Sequence, residues 1–579
     1  MALRICLVTP FAWSQPHDVN EHVQGIAREL RVLGHAVTII ASSNRAADLA
    51  AGRVALHNGS FDGDELLVLG PAVPISRRSR VGVPVGVRTN LSRALREGRF
   101  DVVHGFEPGL PSLSYLALRD AESLAVATFF SPERLSYPPG HAQRERLLGR
   151  IDQLLAVSEE TAAAAAERFP GSYRIVSEGV DTTLFEPDEK QRLIVLEWRA
   201  TERPLARAVL HTLGELPEWR LTMLRTKPLS ARPYVPRALL GRVDVRTARD
   251  APSRAALLNG AAVFVPAATG VSRLALEAAA AGAAVASPPG TPAQPQLAAA
   301  EMGRLADDES YRVSRAVTAR SIAEQQTFTD VAHELEEIYE SLRTRKRAAR
   351  REDDPLADRD WIVVDLHTHT NASHDCRVPP ELLLEHAEAE GLGAIAITDH
   401  NVFHGAQEVA ELARGRDIFV IKAEEVKTDG QGEVIGLFLE KEIPRGMSFG
   451  DTIAAIKEQG GLVYLPHPFD RMHAIPDAAT LHGHLSEIDV FEVYNARLLF
   501  ETYNDEALRF ARKYNLTMGA GSDAHVLQGL GTGAVRMRAF DGPEEFLLSL
   551  RSAEILRRPK SLLYLQSLKW AAQAKERVR

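Results

Sequence analysis

WIVVDLHTH (361–369) is the stretch that decides how the C-terminal third of this chain folds. Four apolar residues lead into Asp365, and His367 and His369 follow two apart. Side chains two apart on a strand point to the same side, so both imidazoles reach one point beyond the strand end. Histidine is the commonest metal ligand and contributes little to packing. An HxH at a strand end, with Asp375 close behind, therefore points to a bound ion.

Moving outward, the pattern recurs. AIAIT (394–398) runs into Asp399 and His400, DIFVIKA (417–423) into Glu424 and Glu425, and GLVYLP (461–466) into His467. DVFEVYN (489–495) carries Glu492 and Asn495, and LTMGAG (516–521) leads to Ser522, Asp523 and His525. Helical stretches such as PELLLEHAEAEG (380–391) and DTIAAIKEQG (451–460) lie between. Strands that alternate with helices, each delivering ligand-type residues at its C-terminal end, predict a (β/α) barrel with its site at the mouth. Residues 361–579 hold 11 of the 19 histidines, which concentrates metal chemistry there. His, Asp and Glu without a thiolate cluster suit Zn²⁺, Mn²⁺ or Fe²⁺, and the number of donors implies two or three ions. Adjacent divalent ions activate water and clamp phosphoryl oxygens, so phosphoester hydrolysis is the expected reaction class.

DLHTHT…SHD, ITDHN, EEVKT, LPHP and GSDAH together resemble the polymerase-and-histidinol-phosphatase (PHP) superfamily over 361–579. The resemblance implies a distorted (β/α)7 barrel with a di- or trinuclear centre. By motif, His367, His369, Glu425 and Asp523 would hold one ion, and Asp375, His400 and His525 another. Glu425 with His467 would begin a third. Some relatives carry a further histidine about ten residues after the glutamate; GEVIGLFL (432–439) has none. Glu425 is preferred to Glu424 because it directly precedes Val426-Lys427-Thr428. Asp399 is expected to orient a ligand from behind. Arg471 and Arg497 follow ligand-bearing strands and are expected to grip substrate phosphate. Cys376 reads as a small buried residue.

The first 340 residues alternate short apolar runs with amphipathic stretches, which predicts βαβ units and parallel sheets. RICLVTPF (4–11), LGHAVTII (33–40), DVVHGFEP (101–108), LLAVSEET (154–161), EGVDTTLFEP (178–187) and LEAAAAGAAVAS (276–287) resemble the GT-B glycosyltransferases of the family-4 type. That implies two facing Rossmann-like domains with a ligand cleft between them. The donor-site positions depart from the family. His17 and Asp18 stand where a Gly-Gly pair lets backbone approach the donor diphosphate, and Phe106 stands at the catalytic-histidine position, with His104 retained. Trp198 and Arg203 replace the Arg and Lys that hold the diphosphate. Thr269 replaces the first carboxylate of the E-x7-E motif, leaving Glu277. These departures imply lost transferase chemistry.

The expected order is thus two Rossmann-like domains (1–175 and 176–342), a charged linker (343–360) and the phosphoesterase barrel (361–579). The linker, RTRKRAARREDDPLADRD, has no apolar period and cannot bury a face. A net charge of −9 argues against a general nucleic-acid coat. Two cysteines, no signal-peptide pattern and no apolar run of spanning length give the expectation of a soluble, cytoplasmic protein. Expected partners are a small phosphoester at the barrel and a nucleotide or nucleotide-sugar in the first cleft. The rival readings are a bifunctional transferase–phosphoesterase and a non-catalytic regulator in which metal only stabilises the barrel; for the first 340 residues alone, a scaffold that holds the barrel in an oligomer is the further alternative.

Overall fold

The computed structural model describes residues 2–59, 66–74, 82–84, 87–131, 135–199, 201–225, 233–267, 273–286, 294–346 and 355–558, with scattered positions from 560 to 568. Thr269 and the central part of the linker lie outside the described residues. The chain divides into two compact units, Met1–Leu342 and Arg343–Arg579.

The first unit holds two parallel sheets. The seven-stranded sheet runs in the order Leu66–Val68, Ala36–Ser42, Arg4–Ala12, Val102–Phe106, Leu124–Phe129, Gln153–Ala156 and Tyr173–Ile175. The five-stranded sheet runs Val243–Thr247, Arg220–Arg225, Gln191–Glu197, Ala261–Val265 and Ala284–Val285. Helices cover both faces of such sheets, so central strands read as continuous apolar runs. Ile5, Cys6, Leu7 and Val8 are all fully buried. The helix Asp18–Val32 starts where His17 Nδ1 accepts from the Val19 amide (3.2 Å). It buries Val19, Val23, Ile26, Ala27 and Leu30, one stripe at helical spacing. The helix Phe328–Arg343 packs back on the seven-stranded sheet, where Tyr339 Oη meets His104 Nδ1 at 2.7 Å.

The second unit is one nine-stranded sheet in the order Met518–Gly521, Val490–Asn495, Leu462–Leu465, Glu433–Leu437, Phe419–Lys427, Ala394–Ile397, Trp361–Thr368, Gly533–Arg538 and Glu554–Arg557. It curls into a nearly closed barrel. The Asp523 amide donates to the His367 carbonyl (2.7 Å) and the His369 amide to the Ala524 carbonyl (3.2 Å), tying the last parallel strand to the first. A Cβ on Gly521 would lie 2.2 Å from His367 Cβ, so this closure requires glycine. Simple alternation of parallel strands and helices does not foresee one feature. Glu433–Leu437 returns antiparallel from Phe419–Lys427, and Gly533–Arg538 also pairs antiparallel. The barrel core is apolar, with Val364, Leu366, Ala396, Ile421, Ala423, Ile435 and Leu437 fully buried. The imidazole and carboxylate donors collect at its C-terminal mouth. Arg359, at the end of the expected linker, bonds Asp541 (2.7 Å) and Glu545 (3.0 Å) and so belongs to this unit.

Candidate metal centre and the ion-pair cluster of the first unit

The strand ends carry a dense donor cluster. His367 Nε2 lies 3.3 Å from Glu425 Oε2 and 3.9 Å from Asp523 Oδ1; His369 Nε2 lies 3.5 and 3.3 Å from the same two atoms. On one side, His525 Nε2 is 2.9 Å and His400 Nε2 3.7 Å from the Asp375 carboxylate. On the other, His467 Nε2 is 3.0 Å from Glu425 Oε1, and His400 Nδ1 is 3.1 Å from Glu425 Oε2. Glu425 sits at the centre with 1% of its surface exposed. His467 (φ 26°) and Asp523 (φ 51°) hold left-handed backbone, a strain of the kind that clusters at functional sites.

All eight residues picked from the sequence as ligands meet here. Four triads, His369–His400–His525, His367–His467–Asp523, His367–His369–Glu425 and His400–Glu425–Glu433, have donor atoms within 4.8 Å of one another. His369 Nε2 supplies the test of fit. It is buried and makes no hydrogen bond, although two carboxylates face it. A buried donor set that leaves such a nitrogen unbonded suits a divalent cation, and the mixed imidazole–carboxylate chemistry suits Zn²⁺, Mn²⁺ or Fe²⁺.

Three family models match segments of the chain. Residues 365–513 match the PHP domain and 501–555 the PHP-associated family, while 19–184 match Glycosyltransferase Family 4. An uncharacterized protein of Methanocaldococcus jannaschii is 34% identical over 215 residues, 35% of this chain and 85% of that protein. The chain belongs to the PHP family, with a Glycosyltransferase Family 4 segment ahead of the PHP domain. A phosphatidyl-myo-inositol mannosyltransferase of Propionibacterium freudenreichii is 31% identical over 208 residues, 35% of this chain and 52% of that protein. Among solved structures, a glycosyltransferase from Rickettsia africae covers 59% of this chain and 98% of its own (13% identity, TM-score 0.42). A protein from Bifidobacterium adolescentis described as a putative metal-dependent phosphoesterase covers 29% of this chain and 90% of its own (20% identity, TM-score 0.25).

Groups behind the donors fix their orientation in the PHP domain. Asp399, fully buried, accepts from the Thr370 amide (2.7 Å), Thr370 Oγ1 (2.6 Å) and Ser373 Oγ (2.7 Å). Ser373 Oγ in turn meets His369 Nδ1 at 3.3 Å and accepts from the His400 amide at 3.0 Å. Glu492 sits 3.1 Å from His367 Nδ1 and accepts from Tyr464 Oη (2.9 Å), the His467 amide (2.6 Å) and Asn495 Nδ2 (3.1 Å). The sequence placed Glu492 on its strand without a role. Glu433 stands outside the motif set, in a segment (432–439) that holds no histidine. Its signal was the period-two run Glu433-Val434-Ile435-Gly436-Leu437, which puts Glu433 on the same face as two core residues.

Strand alternation turns Glu424 away from the cluster, where it accepts from the Ile443 amide (2.8 Å) and burial pushes its carboxyl up to about 7. Cys376 Sγ points at the His369 carbonyl (3.3 Å), and burial pushes the thiol up to about 12. The two arginines part company. Arg497 Nη1 lies 3.3 Å from both Asp523 Oδ1 and His525 Nε2, on the solvent side of the donors. Arg471 pairs with Glu506 (3.7 Å), and among the described residues no hydrogen bond or ion pair ties it to the cluster.

Charge coupling is strong. Burial opposes protonation of His367, but Glu425, Asp523 and Glu492 outweigh it and raise its pKa well above the usual range. His400 and His467 rise to about 9 against the same burial penalty, chiefly through Glu425. His369 falls well below its usual value through burial and the neighbouring His525. Burial works against ionisation of Asp523, yet Arg497 and His367 hold it well below the carboxylate range.

In the first unit the family-4 positions are occupied differently. Glu277, 1% exposed, takes a two-pronged pair from Arg254 (2.6 and 2.6 Å) and a contact from Arg273 (3.2 Å). Arg254 Nη2 also reaches Glu21 Oε2 (2.7 Å) on the helix Asp18–Val32, and Arg273 Nη1 donates to the Asp18 carbonyl (2.7 Å). His104 is sealed between Tyr339 (2.7 Å) and Thr128 Oγ1 (2.6 Å). Trp198 is core, packed with Leu205 and Val263.

Proposed function

We infer that residues 361–579 form a metal-dependent phosphoesterase that hydrolyses a small phosphoester, such as a nucleotide, a sugar phosphate or a short oligonucleotide. The observation that carries this is the convergence of eight imidazole and carboxylate donors from five strand ends on one barrel mouth. His367, His369, Glu425 and Asp523 would hold one ion, and Asp375, His400 and His525 a second. Bound there, divalent ions supply Lewis acidity toward phosphoryl oxygens and a nucleophilic water at neutral pH.

The remaining work belongs to the chain itself. Glu492 accepts from His367 Nδ1, which holds that ring with Nε2 aimed at Glu425. Asp399 acts through Ser373 to fix His369 and the His400 backbone. Arg497 places a fork of N–H donors beside Asp523, where a phosphoryl group entering the mouth finds a charge-assisted partner. Arg471 instead pairs with Glu506 at 3.7 Å.

The family-4 unit is proposed to transfer no sugar. Glu277 and Glu21 neutralise Arg254 and Arg273, which leaves these guanidiniums committed to each other's partners. A test uses full-length protein. Metal analysis and a phosphoester panel on wild type should give bound ions and hydrolysis that a strong chelator abolishes; protein without either refutes the reading. With His367 and His369 both changed to Ala, a panel of nucleotide-sugars, mannosyl donors included, should give no transfer. Donor-specific transfer abolished by Glu277→Ala would establish the bifunctional alternative.

A further inference from the structure

The third ion position has only Glu425 and His467 by sequence, since 432–439 lacks a histidine. The antiparallel return of Glu433–Leu437 changes that. Register pairs Ala423 with Leu437 and Glu425 with Ile435, and directly opposed residues share a face. That face runs from Ala423, Ile435 and Leu437 in the core up to Glu425 at the mouth, and Glu433 is the next residue on it.

Resting on the metal-centre reading above, we propose that Glu433 joins Glu425 and His467 to build a third, carboxylate-rich divalent-ion position. Glu433 Oε2 lies 3.8 Å from His467 Nε2, and Glu433 Oε1 lies 3.9 Å from His400 Nδ1. Both are too long for hydrogen bonds. The Glu433–His467 distance matches the ~3–4 Å separation of two donors that share an ion at about 2.0–2.2 Å from each. Glu433 is 21% exposed, so the position opens toward solvent. Two carboxylates and one imidazole make it harder than the histidine-rich positions, which favours Mn²⁺ there.

The competing role is electrostatic, with Glu433 merely adding negative charge near His400 Nδ1. Two substitutions separate the roles. Glu433→Gln removes the anionic donor at nearly constant size, whereas Glu433→His restores an ion donor without the negative charge. Full-length protein is stripped with chelator, reloaded with Mn²⁺, and measured by elemental analysis and calorimetric titration. The proposal expects Glu433→Gln to hold about one ion fewer per chain, or to bind its weakest ion at least ~100-fold more loosely, more than loss of a group outside the ion's own ligands costs. Glu433→His should regain that ion. Wild-type stoichiometry and affinity in Glu433→Gln would overturn it, as would loss of every ion together. Wild type that binds no Mn²⁺ at all would instead overturn the metal-centre reading. Melting curves check folding, and if Glu433→Gln does not fold, Glu433→Asp carries the test, with selective weakening of one ion expected and unchanged binding overturning the proposal.

Discussion

Both units bury charge where their families place chemistry, and they balance it in opposite ways. In the first, Arg254 and Arg273 face Glu21 and Glu277, two cations against two anions at 2.6 to 3.4 Å. Among the described residues, these two guanidiniums and two carboxylates balance one another. In the second, Asp375, Glu425, Glu433 and Asp523 gather around one guanidinium, Arg497, and a set of imidazoles. That balance closes only if the imidazoles take up protons, as the raised pKa values of His367, His400 and His467 record, or if cations enter. Burial of charge therefore does not identify a working site; charge left uncompensated by the chain does.

The sharpest way to break the comparison is to remove a donor from each unit. His367→Ala or Asp523→Ala should lower phosphoesterase activity by more than about 100-fold and reduce bound metal, since even groups behind ligands cost ~10–100-fold. Glu277→Ala should leave that activity unchanged. Elemental analysis and initial rates on the same preparations check both. If the two substitutions cost alike, the units are not separable in this way.

Next in size is stability of the first unit. Arg254→Ala takes the two-pronged partner from Glu277, 1% exposed, leaves it Arg273 alone, and should cost up to about 3–5 kcal/mol. Arg254→Met and Glu277→Leu together should cost much less than the sum of those two changes made singly. Denaturant melts of the four proteins measure the coupling, and a coupling near zero would show that the ion-pair cluster is loose.

The same contrast shows what was legible in the sequence. Donors at strand ends could be read because strand period and ligand chemistry coincide within a few residues, as in His367 and His369 or Asp523 and His525. Partners distant in sequence could not. Arg254 finds Glu21 across 233 positions, and Arg471 turns to Glu506 because of how the helix Glu501–Tyr514 packs. Glu433 depended on the direction of one strand, which alternation alone does not reveal. Glu492 was visible as a carboxylate on a strand, but its hold on His367 bridges 125 positions. Glu492→Gln keeps the shape and weakens that hold. It should lower metal affinity or activity by about 10–100-fold with little change in melting temperature, as measured by metal titration.

The smallest expected effect lies in acid sensitivity, and it concerns the first unit. His22 and His104 are both held down to about 3, chiefly by burial; for His22 the neighbouring Arg273 adds to it. His22 packs against Phe130 (5.1 Å) and His104 stacks on Phe106 (4.3 Å), surroundings that solvate an imidazolium poorly. Each folded pKa lies below the ordinary 6.5, so between the two values the unfolded chain binds a proton that the folded chain does not. Their contribution is therefore complete above pH 6.5 and is lost as pH falls toward 3. By pH 5.5 the loss should be about 1 kcal/mol per histidine. Calorimetry from pH 7.5 downward, with the first-unit transition identified by its response to Arg254→Ala, should show that transition falling with acid. His22→Phe removes one titrating group while keeping the aromatic contact, and should flatten the fall by about half. An unchanged slope in His22→Phe would mean that His22 is protonated in the folded unit, and with it that the Arg–Glu cluster beside it is not the closed, self-neutral arrangement contrasted with the open donor ring of the PHP domain.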